Sequence, residues 1–135
     1  MGKIFFMVET TPEPPGPEWV SVFDDTRWER QTNVNWNGTR WNATGPGPVL
    51  KTKIGSTWFQ NFRPTSMRVT GAISFAGNVT LYDGLSGNVI GTKQNNSDAV
   101  VTIALDWQYG IDMLRLDLYS YANITNIEFL GGTLG

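Results

Sequence analysis

The sequence predicts an all-β protein: a single-domain β-sandwich of jelly-roll type with an extended N-terminal arm. Three observations carry this. From residue 19 onward, short apolar runs alternate with turn residues at intervals of about eight to twelve, the rhythm of a sandwich or barrel. Charged residues make up only 16% of the chain, against about 25% in an average domain, and its 15 glycines are joined by many Asn, Ser and Thr, a balance suited to short strands and tight turns. At 135 residues the chain is long enough for one core, burying roughly two-thirds of its unfolded surface. No segment carries a convincing helical period.

Residues 1–18 form the arm and its connector. Pro12, Pro14, Pro15 and Pro17 keep the connector extended and out of any sheet interior, because proline has a fixed φ and no N–H to donate. Ahead of it, Ile4, Phe5, Phe6, Met7 and Val8 make an uninterrupted apolar run of high β propensity, which is a hazard if left bare. The run needs a covering surface. It either folds back as a strand of its own domain or serves as an assembly arm laid on a neighbouring subunit.

Residues 19–135 form the sandwich domain. Strands are expected over 19–24, 34–36, 40–43, 49–54, 58–62, 67–75 with a break at Gly71, 78–82, 89–92, 99–107, 113–119 and 124–130. Asn37-Gly38 marks a hairpin, Asp83-Gly84 with Ser86-Gly87-Asn88 a loop, and Asn95-Asn96-Ser97-Asp98 a polar turn. Alternation is cleanest late in the chain. Val101, Ile103, Leu105 and Trp107, then Leu114, Leu116 and Leu118, place apolar side chains on one face, with Asp106, Arg115 and Asp117 on the other. Trp19 and Trp107 are expected in the core.

Composition excludes much chemistry. The chain has no histidine and no cysteine, which removes the usual neutral-pH acid or base and the principal transition-metal ligands. Asp24, Asp25 and Glu29 form the densest acidic group, but neighbouring residues of a strand point to opposite faces, so no acid/base pair follows. The expectation is a protein that binds rather than catalyses, with no cofactor and no metal. No apolar stretch approaches the roughly 20 residues of a membrane helix, and the apolar run at the start is too short for a secretory signal. Five Asn-x-Ser/Thr sites, at Asn37, Asn42, Asn78, Asn95 and Asn123, are read as polar turns rather than glycosylation sites.

Charge is segregated along the chain. Residues 27–68 carry seven of the ten Lys and Arg and a net charge of +6, flanked by segments of −4 on each side. The same segment holds Trp28, Trp36, Trp41 and Trp58, four of the six tryptophans. Trp faces stack on sugar rings while Asn and Arg bond hydroxyls, so Trp36, Trp41, Asn35, Asn37, Arg40 and Trp28 form a candidate glycan-binding set. Trp36 and Trp41 flank the Asn37-Gly38 turn and are expected near a loop tip. Nucleic acid is not an expected partner, because the acidic flanks compete with the basic segment and no phosphate loop is present.

Toward the C-terminus, Leu114, Leu116 and Leu118 alternate with Arg115 and Asp117, and after a short turn Glu128 sits between Ile127 and Phe129, followed by Leu130-Gly131. These twenty or so residues resemble the closing strands of galactose-binding-like, discoidin-type jelly rolls. The resemblance implies ligand contacts in loops at one end of the sandwich. In character the chain also looks like a small phage virion protein, such as a head decoration, cement or tail-associated subunit. That likeness implies synthesis in a host cytoplasm, residence in the virion, a homo-oligomer or other virion proteins as partners, and a structural role. Cell-surface glycan is the alternative partner.

Overall fold

The computed structural model describes residues 18–53, 55–60, 63–107 and 111–131. The apolar run Ile4, Phe5, Phe6, Met7 and Val8 and its proline-rich connector lie outside the described residues. Among those described there is no helix, and the all-β class read from the sequence is the class observed.

Among the described residues, nine strands form one antiparallel sheet: β1 (Trp19–Ser21), β2 (Trp28–Thr32), β3 (Val34–Trp36), β4 (Trp41–Ala43), β5 (Val49–Thr52), β6 (Ser66–Asp83), β7 (Val89–Ala104), β8 (Leu114–Leu118) and β9 (Ile124–Leu130). The order is β2-β5-β8-β6-β9-β4-β3, with β1 beside β9 and β7 beside β6. The long β6 is shared between two halves. Its first part pairs with β9, from Ser66↔Leu130 to Gly71↔Ile124, and its last part with β8, from Val79↔Leu118 to Asp83↔Leu114. β7 accompanies both.

Between these halves the β6–β7 ribbon bends, and the sheet folds over on itself until it nearly closes. Register shifts cluster from Thr70 to Ala76, opposite a bulge at Asn95–Asp98. The Asn95 side chain fixes the bulge: its Nδ2 donates to the Phe75 and Asp98 carbonyls at 2.7 and 2.8 Å, and its Oδ1 accepts from the Asp98 N–H at 3.1 Å. Ser97 takes φ 123° there. The fold-over brings the two ends of β7 together, so that Asp106 N–H donates to the Ile90 carbonyl at 2.8 Å.

The core lies between the two halves. Met67, Val69, Ile127 and Phe129 come from one, and Leu50, Val79, Leu81, Leu114 and Leu116 from the other, all fully buried. Burying a side chain of this size contributes about 1.5–3 kcal/mol. The alternation expected at 114, 116 and 118 and at 101 and 103 is observed, while Leu105 and Trp107 are only partly buried.

Several element boundaries differ from expectation. The strands expected at 67–75 and 78–82 are one strand, as are those at 89–92 and 99–107, because a side-chain-pinned bulge lets pairing continue where the polar run Asn95 to Asp98 suggested a turn. Residues 58–60 form a turn rather than a strand, anchored by Phe59, which is fully buried, and by Trp58, whose ring lies 5.9 Å from Trp28 and 6.4 Å from Phe129. β2 was not expected, since Trp-Glu-Arg-Gln-Thr lacks an apolar period; it forms by pairing with β5. Trp19 is half-exposed rather than core, with the Arg68 guanidinium 4.1 Å from its ring centroid.

Candidate functional site

The outer face of the β5–β8–β6–β7 half carries the candidate site. Where Leu114, Leu116 and Leu118 point inward, period 2 turns Arg115, Asp117 and then Tyr119 outward. Val79 and Leu81 do the same for Asn78, Thr80 and Tyr82. Directly opposed residues of an antiparallel pair share a face, so the register builds three outward rows. Lys51, Arg115 and Tyr82 form one; Val49, Asp117, Thr80 and Thr92 the second; Tyr119, Asn78 and Gln94 the third, where the Tyr119 N–H donates to the Asn78 carbonyl at 2.9 Å.

A groove of about 280 Å³ runs over this face, lined by Val49, Asn78, Thr80, Tyr82, Asp117 and Tyr119 among others. A smaller depression of about 160 Å³ lies among Gly77, Asn78, Gln94 and Tyr119. Tyr119 and Asn78 border both, and Tyr119 is 75% exposed. Its ring rests over Gly77, where an added side-chain carbon would stand 3.0 Å from Tyr119 Cβ; the positive φ of 103° also favours glycine there.

The polar groups of the face divide into fixed and uncommitted ones. Thr80 and Thr92 share a hydroxyl–hydroxyl bond of 2.8 Å. Arg115 Nε donates to Asp117 Oδ1 at 3.0 Å, and its guanidinium carbon lies 4.3 Å from the Tyr82 ring centroid. Burial pushes the Asp117 carboxyl above its ordinary value, although the Arg115 charge and hydrogen bond act the other way. Asp117 Oδ2 and the side-chain amides of Asn78 and Gln94 make no hydrogen bond to the described residues.

The glycan set expected from the sequence is arranged differently. Trp28 is fully buried, with Nε1 donating to the Val22 carbonyl at 2.9 Å, and Trp41 is 4% exposed. Both belong to the interior. Trp36 and Trp41 do flank the Asn37-Gly38 turn at the tip of the β3–β4 hairpin, as the last cross-strand pair before it, but the face they share turns inward and offers no open platform. Trp36, half-buried, packs between Phe23 and Trp41 at centroid distances of 5.5 and 5.3 Å. Asn35 is exposed and Arg40 half-exposed. Asn37 Oδ1 is already occupied by the Thr39 and Arg40 N–H groups, both at 2.9 Å.

The basic segment does not gather into one patch. Arg27 pairs with Asp24, Lys51 with Glu29, and Arg68 bidentately with Glu128; Lys51 and Arg68 lie on the outer faces of opposite halves of the sheet. Asp24 is a turn anchor: its Oδ1 accepts from the Thr26 N–H and hydroxyl and the Arg27 N–H.

The groove was not found by sequence reasoning. Its signal was present as the polar and aromatic partners of alternating strands, Asn78-Thr80-Tyr82 and Arg115-Asp117-Tyr119, but only the β6–β8 register brings them together. The chain matches no protein-family model, no curated protein and no solved structure.

Proposed function

We propose that the chain is a non-enzymatic structural and interaction subunit of the virion-surface kind, a head decoration, cement or tail-associated protein. It is held to its neighbours through Ile4, Phe5, Phe6, Met7 and Val8 and presents the outer face of the β5–β8–β6–β7 half for contact. The observation that carries the contact face is Tyr119: a large aromatic 75% exposed over a groove, beside two uncommitted amides, is more than a scaffold needs. The arm rests on sequence, since an uncharged apolar run needs a covering surface. Strands β8 and β9 carry the likeness to galactose-binding-like jelly rolls, and that architecture is part of the reading.

Light scattering coupled to size exclusion tests the assembly. A discrete multiple of 15.0 kDa for the full chain, falling to a folded monomer when residues 1–9 are deleted, is the expected result. An unchanged mass after the deletion overturns the arm. The alternative of carbohydrate recognition through the Trp-rich segment loses support from the burial of Trp28 and Trp41, which leaves Trp36, Asn35, Asn37 and Arg40 nearer the surface.

A further inference from the structure

We propose that the groove over β5, β8 and β6 is a binding site for a neutral oligosaccharide, with Tyr119 as the stacking residue between two sugar subsites. This rests on the reading that the outer face of this half makes contacts, and is independent of the arm.

The lining chemistry selects the ligand class. A pyranose offers an apolar C–H face ringed by hydroxyls, so its site needs one flat aromatic surface and a mixture of donors and acceptors at the rim. Tyr119 supplies the surface. It stands between the two depressions, and its seat over Gly77 holds the ring near the backbone, which lowers the entropy lost on stacking. The Asn78 amide borders both depressions and Gln94 one, each able to donate to one hydroxyl and accept from another. Asp117 Oδ2 adds an acceptor in the larger depression, while Oδ1 holds Arg115.

Charge argues for a neutral ligand. Asp117 and Arg115 compensate each other, and Lys51 is held by Glu29 at 3.7 Å. An anionic sugar or a phosphate would meet the Asp117 carboxylate without an unshared cation beside it. A peptide is disfavoured because the groove crosses the face of paired strands, where backbone groups are already used, whereas strand addition needs an open edge. At about 280 Å³ the larger depression sits at the lower limit of small-molecule sites, which suits one or two sugar units rather than a long chain.

The test is a titration of the ¹⁵N-labelled full-length protein, followed by NMR, with neutral di- and trisaccharides of glucose, galactose and N-acetylglucosamine, and with sialylated and sulfated trisaccharides as anionic counterparts. The expected result is saturable binding of at least one neutral member at millimolar concentration or below. Its shifts should be confined to Asn78, Thr80, Gln94, Asp117 and Tyr119, including the Asn78 and Gln94 side-chain amides. Tyr119→Ala should weaken binding about tenfold or more, and Asn78→Ala severalfold, with both variants folded and Trp36→Ala at wild-type affinity. Preference for the anionic sugars, shifts mapping to the Trp-rich segment, or wild-type affinity in Tyr119→Ala overturns the proposal. If no sugar binds, the proposal fails, while assembly through the arm is read separately from the mass of the full chain and of the variant lacking residues 1–9, so the two failures are distinguishable.

Discussion

The side-chain amide of Asn95 donates to the carbonyl of Phe75 at 2.7 Å, joining the two strands of the β6–β7 ribbon at the point where it bends. Because Asn95 is 3% exposed, water does not replace that bond if it is lost. Replacing Asn95 by Ala should strand the Phe75 carbonyl and the Asp98 N–H, costing about 2–3 kcal/mol in denaturant unfolding. A loss under about 0.5 kcal/mol would mean that the bend is set elsewhere.

The same fold-over packs Gly91 against the far end of its own strand. A side-chain carbon at Gly91 would stand 2.5 Å from the Ala104 carbonyl oxygen and 2.8 Å from Leu105 Cδ2. Backbone does not yield as a flexible side chain does, so Gly91→Ala should destabilise by about 2 kcal/mol or more. Gly87→Ala is the informative contrast: nothing lies within 4 Å of the added carbon, leaving only the strain of a φ of 79°, about 1 kcal/mol. Thermal midpoints of the two variants check the order.

Acid sensitivity should trace in part to Asp24. Burial raises its pKa, but the Thr26 hydroxyl, the Arg27 N–H, the Arg27 charge and the Thr26 N–H together outweigh burial and hold it below the ordinary 3.8. A carboxylate with a lowered folded-state pKa contributes stability above the unfolded value and loses it as the pH falls through the folded value. Asp24→Asn keeps an acceptor for the N–H groups and removes the charge facing Arg27. It should therefore cost about 0.5–1 kcal/mol at neutral pH, a modest figure for a partly exposed group, and the gap to wild type should close below pH 3.8. A gap that persists into strong acid would contradict this assignment.

Arg68 and Glu128 tie β6 to β9 with two hydrogen bonds of 2.9 and 3.0 Å, and the same guanidinium covers Trp19 on β1. One group thereby joins three strands. Arg68→Met should lower the thermal midpoint and shift the fluorescence of Trp19, read in a variant with the other tryptophans accounted for. Unchanged Trp19 emission would show that the ring packs without the cation.

The sequence by itself determined the all-β class and the inward residues of its later strands. Strand alternation is a local property with period 2, so Leu114, Leu116 and Leu118, or Val101 and Ile103, declare their face without knowledge of their neighbours. Turn residues such as Asn37-Gly38 and Asp83-Gly84 were legible for the same reason, since their side chains bond backbone two or three residues away. The tertiary structure alone decided that Asn95 to Asp98 is a bulge and not a turn, because, of the three bonds that fix it, the one that ties it to the partner strand reaches Phe75, twenty positions away. It decided that Trp28 and Trp41 are interior, because a tryptophan's face is set by strand pairing and not by distance from a loop. It also assembled the groove, whose residues 49, 78–82 and 117–119 meet only through antiparallel register, a long-range property that local pattern does not encode.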